Sequence, residues 1–173
     1  GNVINPMDMV AKYGSDAFRL GILRGRSAGM NQAFSENSVI AGRNLCNKLW
    51  NISRLVQSIV DEETPEDIPS DIDFRKLPRE NDDSTTSASY TTLNMGEDWI
   101  CREINECLET VEKCMDEYRF AEAVEVLYST IWNKYADWFL EGQKIFRNVG
   151  LLRATLEALL IALHPFAPFV TEA

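Results

Sequence analysis

Arg43-Asn44-Leu45-Cys46-Asn47-Lys48-Leu49-Trp50-Asn51-Ile52-Ser53-Arg54-Leu55-Val56 is the stretch whose reading decides the fold. Leu45, Leu49, Ile52 and Val56 recur at alternating intervals of four and three, the period of a helix that buries one stripe. Ile59 extends the stripe, and Ser35 or Glu36 supplies a start signal, so the pattern predicts one long helix ending near Val60. A second stripe on the same helix, Arg43, Asn47, Asn51, Arg54 and Ser58, is polar and basic. One face therefore looks for a hydrophobic partner and the other carries hydrogen-bonding groups.

The periodicity on either side is also helical. Asn5 before Pro6 is a cap followed by a first-turn proline, opening a short helix that stops at Tyr13-Gly14. Ser15 or Asp16 starts a second helix carrying Phe18, Leu20, Ile22 and Leu23, and residues 25–35 read as loop. After the long helix the composition changes. Residues 61–96 hold three prolines, a run of acids and Ser84-Thr85-Thr86-Ser87-Ala88-Ser89, which predicts an acidic, mobile insertion. Helical spacing resumes at Gly96 with Ile100, Ile104, Leu108, Val111 and Met115. A further helix from about Arg119 to Lys144 places Val124, Leu127, Ile131, Tyr135 and Trp138 inward. The last helix, Val149 to Leu163, stops where His164-Pro165 cannot continue it, with a short restart expected at Phe166. The fold class this implies is all-α, an antiparallel helical bundle.

At 173 residues the chain is about one domain, with 45% hydrophobic and 25% charged residues. The net charge of −10 argues against a protein that coats nucleic acid through its overall field. The sign is unevenly spread: residues 1–60 carry +4, residues 61–97 carry −8 and residues 98–173 carry −6. Cys46, Cys101, Cys107 and Cys114 form no short-spaced pair and His164 is the single histidine, so no metal site is expected and the thiols read as free and buried. Nucleotide-binding glycine loops, zinc-protease and nucleophile-elbow motifs are missing, so no catalytic residue is assigned. Carboxylates at helical spacing, such as Glu103 and Glu106, read as solvated surface. Arg153, Glu157 and two prolines break the apolar run Leu151–Val170, and no signal peptide is visible, so no membrane association is expected. Most of Tyr128, Trp132, Tyr135, Trp138 and Phe139 read as core, with base stacking as the alternative. Asp137 among them asks for a partner from the third helix, either Arg43 or a lysine there, and His164 reads as a capping or packing residue.

Several ordered motifs resemble one family. Gly1-Asn2-Val3-Ile4-Asn5-Pro6 followed by Tyr13-Gly14-Ser15-Asp16-Ala17-Phe18-Arg19 is similar to the segment after the KMSKS signature of class I aminoacyl-tRNA synthetases of the valine, isoleucine and leucine group. Arg43 to Asn51 looks like the first anticodon-domain helix of the valyl-tRNA synthetase branch. Asp98-Trp99-Ile100, Phe120-Ala121-Glu122-Ala123 and Ala136-Asp137-Trp138-Phe139-Leu140-Glu141 match the next two helices, and His164 to Glu172 resembles the closing motif. Only about 61–96 has no counterpart.

The resemblance implies an anticodon-binding bundle over residues 35–173, preceded by a stem-contact segment over residues 1–34. It implies tRNA of the valine type as partner, together with a catalytic domain of the same polypeptide that uses ATP and magnesium. The chain itself would hold no cofactor and no catalytic centre. It would work in the cytoplasm as part of a monomer. Arg43, Asn47, Lys48, Asn51 and Arg54 are the expected tRNA-binding residues, with Arg43 open to either RNA contact or an ion pair inside the bundle. Asp137, Trp138, Trp132 and His164 are expected in structural or interface roles. The alternatives are the equivalent domain of an isoleucyl or leucyl enzyme, or a helical module that binds protein.

Overall fold

The computed structural model describes residues 4–24, 34–62, 95–145 and 147–173. The expected acidic insertion, apart from its ends, and most of the 25–35 loop lie outside the described residues. Among those described, the chain runs α1 (Pro6–Tyr13), α2 (Ser15–Leu23), α3 (Glu36–Asp61), α4 (Met95–Asp116), α5 (Phe120–Ser129), α6 (Leu140–Gly142), α7 (Val149–Leu163) and α8 (Pro168–Glu172). Residues 130–139, between α5 and α6, continue the same helix with π-type winding. No strand occurs among the described residues.

Local chemistry sets the ends. The Asn5 side chain accepts a hydrogen bond from the Met7 amide at 3.1 Å, and Pro6 fills the first turn of α1, where an N–H is not needed. Gly14 has a φ of +90°, a left-handed conformation costly for any residue with a Cβ, and this sharp turn ends α1 and starts α2. Asn148 caps α7 by accepting from the Leu151 amide at 3.0 Å.

The core joins Leu20 of α2, Leu45, Leu49, Ile52 and Val56 of α3, Ile100 and Ile104 of α4, Leu127 of α5, Ile131 and Tyr135 of the π segment, and Leu152, Leu159 and Leu163 of α7. The α3 stripe is the one the sequence predicts, with Ile59 only partly buried. On α4 the buried set includes Cys101, Cys107 and Cys114, while Leu108 and Met115 are partly buried. All four thiols are free, and burial pushes those of Cys46 and Cys101 up to about 11 and about 12. Each buried thiol therefore acts as a small apolar filler.

α2 and α3 pack antiparallel and very close. Gly21 faces Val39 and Gly42 faces the Ala17 carbonyl, so a glycine from each helix lets the other's backbone approach. α4 and the 120–142 helix are also antiparallel, since Lys134 pairs with Glu103 and Cys107 lies against Thr130.

Two expectations change here. Trp138 is 72% exposed rather than inward, and Phe139 takes the core position. In an α-helix an i+4 row drifts by about 40° per step. The i→i+5 bonding of residues 130–139 widens the turn and counters that drift, so Leu127, Ile131, Tyr135 and Phe139 stay in one buried row. The C-terminal restart comes at Pro168, not Phe166. Phe166 is buried, its amide and that of Ala167 both return to the Leu163 carbonyl, and α8 begins where Pro168 has no N–H to satisfy.

Two of the motifs prove to be partners. Arg19 donates through Nε to the Phe166 carbonyl at 3.0 Å and through Nη2 to the Pro165 carbonyl at 2.8 Å. Asp16, buried at 6% exposure, accepts from the amides of Val170 at 2.7 Å and Phe169 at 3.4 Å. The first-turn donors of α8 and the acceptors behind α7 are thus both satisfied by α2. His164, exposed at the C-terminal cap of α7, shares a 2.8 Å hydrogen bond between Nδ1 and Thr171 Oγ1 that holds the same turn.

Candidate nucleic-acid interface

Between Glu36 and Asp61 the chain has no acidic residue. α3 therefore runs through an acidic protein as one basic and amide-bearing rod. Its buried stripe fixes the opposite face outward, where Arg43, Asn44, Asn47, Asn51 and Arg54 are all exposed. Eleven residues separate the two arginines, about 16 Å along the axis. Asn47 and Asn51 lie between them, each offering an acceptor and two donors.

Most cations among the described residues are already engaged. Lys12 pairs with Glu36, Arg24 with Glu125, Arg102 with Asp98, Arg119 with Glu117, Lys144 with Glu141 and Lys134 with Glu103. Arg43 and Arg54 are in no ion pair among the described residues. Lys113 and Arg153 are likewise unpaired, but Lys113 stands among Glu109, Glu112 and Asp116, and Arg153 is four residues before Glu157. Among the described residues, only on α3 do two guanidinium groups without an ion pair share a face free of acids.

Lys48 behaves differently. Its ammonium sits 2.7 Å from Asp137 and 4.1 Å over the Trp132 ring. The partner from the third helix that Asp137 needs is therefore Lys48 and not Arg43, and the Asp137 side chain is 51% exposed rather than buried. Arg43 instead lies 5.4 Å over the ring of Tyr13. Trp132 stacks on Tyr128, ring planes 7° apart, and Arg24 covers the other aromatic at 3.5 Å. Arg24 of the α2 end and Lys48 of α3 are thus both anchored on one aromatic pair of the 120–142 helix.

Two clefts open on this face. One, of about 370 Å³, lies between Tyr13, Asp16, Arg43, Asn47 and Phe169. The other, of about 420 Å³, follows α3 along Asn44, Asn47, Lys48 and Asn51 to a wall of Leu55 and Leu140. Tyr13, Asn44 and Leu55 escape a reading by charge and stripe alone. Asn44 is one position after Arg43, off the 43–47–51–54 row, and the other two are apolar or distant in sequence.

Residues 97–173 match the family described as the anticodon-binding domain of tRNA ligase. Nearly the whole chain, 99%, aligns with valine–tRNA ligases at 34% identity, among them those of Bacillus anthracis and Lactococcus lactis. Residues 97–173 thus belong to the anticodon-binding domain family of tRNA ligases, and nearly the whole chain is similar to valyl-tRNA synthetases. The chain spans 18% of the Bacillus anthracis enzyme and 19% of the Lactococcus lactis enzyme. The solved leucyl enzyme of Agrobacterium radiobacter K84, a ternary complex with tRNA and LeuAMS, shares the fold with a TM-score of 0.69 over 99% of this chain at 18% identity. Asp16 and Arg19, which anchor the C-terminal end of the matched region, lie outside it, since the family match begins at Glu97. Among the described residues no helix is long and apolar enough to cross a membrane.

Proposed function

We propose that this domain binds the anticodon region of a valine-type tRNA through the exposed face of α3. The observation that carries the reading is the stretch of α3 between Glu36 and Asp61, free of acids, with Arg43 and Arg54 outside any ion pair and flanking Asn47 and Asn51. Two cations about 16 Å apart suit phosphates of different nucleotides in one loop. Amides between them suit the edges of unstacked bases, which is how single-stranded RNA is read. The parent chain acts as a valine–tRNA ligase in the cytoplasm, as a monomer. ATP and magnesium belong to its catalytic domain, and the present chain contributes residues 1–34 as the stem-contact segment and 35–173 as the anticodon-binding bundle. Trp138, the most exposed tryptophan, is available for contact with RNA or with another part of the polypeptide.

Salt-dependent titration of a valine tRNA transcript tests the assignment. Arg54→Ala and Arg43→Ala are each expected to weaken binding and flatten the salt slope by roughly 0.7–0.9. Lys144→Ala, which breaks an exposed ion pair with Glu141 of α6, leaves both unchanged. Unaltered binding in both arginine variants removes α3 as the RNA face.

A further inference from the structure

The cleft along Asn44, Asn47 and Asn51 is unusual for an RNA-facing surface because the cation inside it is already spoken for. Lys48 lies within this cleft with a side chain only 24% exposed, held by Asp137 at 2.7 Å and by the Trp132 ring at 4.1 Å. Trp132 is itself fixed by parallel stacking on Tyr128, so the lysine has a rigid seat. A lysine free on a flexible stem is a point charge that attracts any phosphate. Pinned between a carboxylate and an indole, it adds no net charge to the cleft, and what remains facing outward is three amides with apolar walls at Ile52, Leu55 and Leu140.

Resting on the assignment of α3 as the RNA face, we propose that Asp137 is a specificity-determining residue: it cancels Lys48, and so keeps this cleft a pocket for the edge of an unstacked nucleobase rather than for a phosphate. Apolar walls receive the base and the amides read its donors and acceptors. Phosphate attraction is left to Arg43 and Arg54 at the ends. Backbone charge adds affinity for any RNA, whereas base-edge contacts distinguish one sequence from another. Removing Asp137 frees a cation where the bases are read.

The test measures the salt dependence of binding to a valine tRNA transcript and to an unstructured single-stranded RNA of equal length. Asp137→Asn is expected to steepen the salt slope by roughly 0.7, to raise affinity for the unstructured RNA several-fold at low salt, and so to narrow the discrimination between the two RNAs. Asp137→Glu restores the wild-type slope. The double variant Lys48→Met/Asp137→Asn, which removes both charges together and keeps the apolar stem over Trp132, leaves the slope as in wild type. A slope that falls by roughly 0.7 in this double variant shows that Lys48 already contacts a phosphate, and overturns the proposal. An unchanged slope in folded Asp137→Asn overturns it too. Should Asp137→Asn fail to fold alone, the double variant decides by itself. Arg54→Ala and Arg43→Ala run alongside: if they also change nothing, it is the assignment of α3 that has failed.

Discussion

Gly42→Ala is expected to destabilise this domain, against the intrinsic preference of a helix. In an unencumbered helix interior, alanine is favoured over glycine by about 1 kcal/mol. At Gly42, however, the added Cβ falls 2.6 Å from the Ala17 carbonyl oxygen and 3.1 Å from the Leu20 Cβ. The near atom is backbone of α2, so no side-chain rotation relieves it. α2 has to retreat by roughly 0.8 Å to reach ordinary contact, drawing Ala17 and Leu20, both almost fully buried, out of the core. Such overpacking costs about 1–3 kcal/mol. With backbone on one side of the clash the upper part of that range applies, and the propensity gain leaves a net loss of about 1–2 kcal/mol. For a chain of this size the melting temperature falls by about 2–8 °C, read by circular dichroism. Gly142→Ala is the matched control, since nothing lies within 4 Å of its Cβ, and it is neutral or slightly stabilising. Adding Gly21→Ala, across the same contact, costs less than it does alone, because the interface is already open. A Gly42→Ala domain that melts at or above wild type refutes the close α2–α3 approach.

Other measurements probe different parts of the fold. Asp16→Ala leaves the Val170 and Phe169 amides without their acceptor and is expected to cost about 1–3 kcal/mol, with Asp16→Asn losing less; equal melting of all three proteins excludes the anchor. Cys46 and Cys101 keep their protons in the folded chain up to about pH 11 and about 12, whereas the same thiols titrate near 9.0 when unfolded. Stability is therefore unaffected by these thiols below about pH 8.5 and falls as pH rises above it, because the unfolded state alone loses protons. Urea midpoints followed up to about pH 10.5 should decline less steeply in Cys46→Ala/Cys101→Ala than in wild type; parallel declines rule the thiols out. The isolated domain is expected to give no valine-dependent ATP–pyrophosphate exchange, and activity above background in the purified protein contradicts that.

The helices were legible because their causes are local. The α3 stripe, the Asn5-Pro6 start, the stop at Gly14 and the end of α7 at His164-Pro165 follow from periodicity, capping and proline sterics within a few residues. The ordered motifs were legible as a set, and with them the family resemblance. The bonds between motifs were not. Asp16 and Arg19 lie about 150 residues from the carbonyls and amides they satisfy, and no local pattern shows that an acid and a basic residue on α2 complete the end of the chain.

The sequence by itself determined that one helix face is apolar, that the opposite face of the same helix carries arginines and amides, and that no acid interrupts it. Those properties depend only on the order of residues and the pitch of a helix. Which of the α3 cations remain free was decided by tertiary structure. Lys48 is four residues before Ile52 and five after Arg43, indistinguishable in sequence from a surface lysine, yet the packing of the 120–142 helix brings Asp137 to 2.7 Å from it. The same packing, with its π winding, turned Trp138 outward and put Phe139 in the core. Electrostatic pairing and angular register both depend on distances between helices, and those distances exist only once the core has closed.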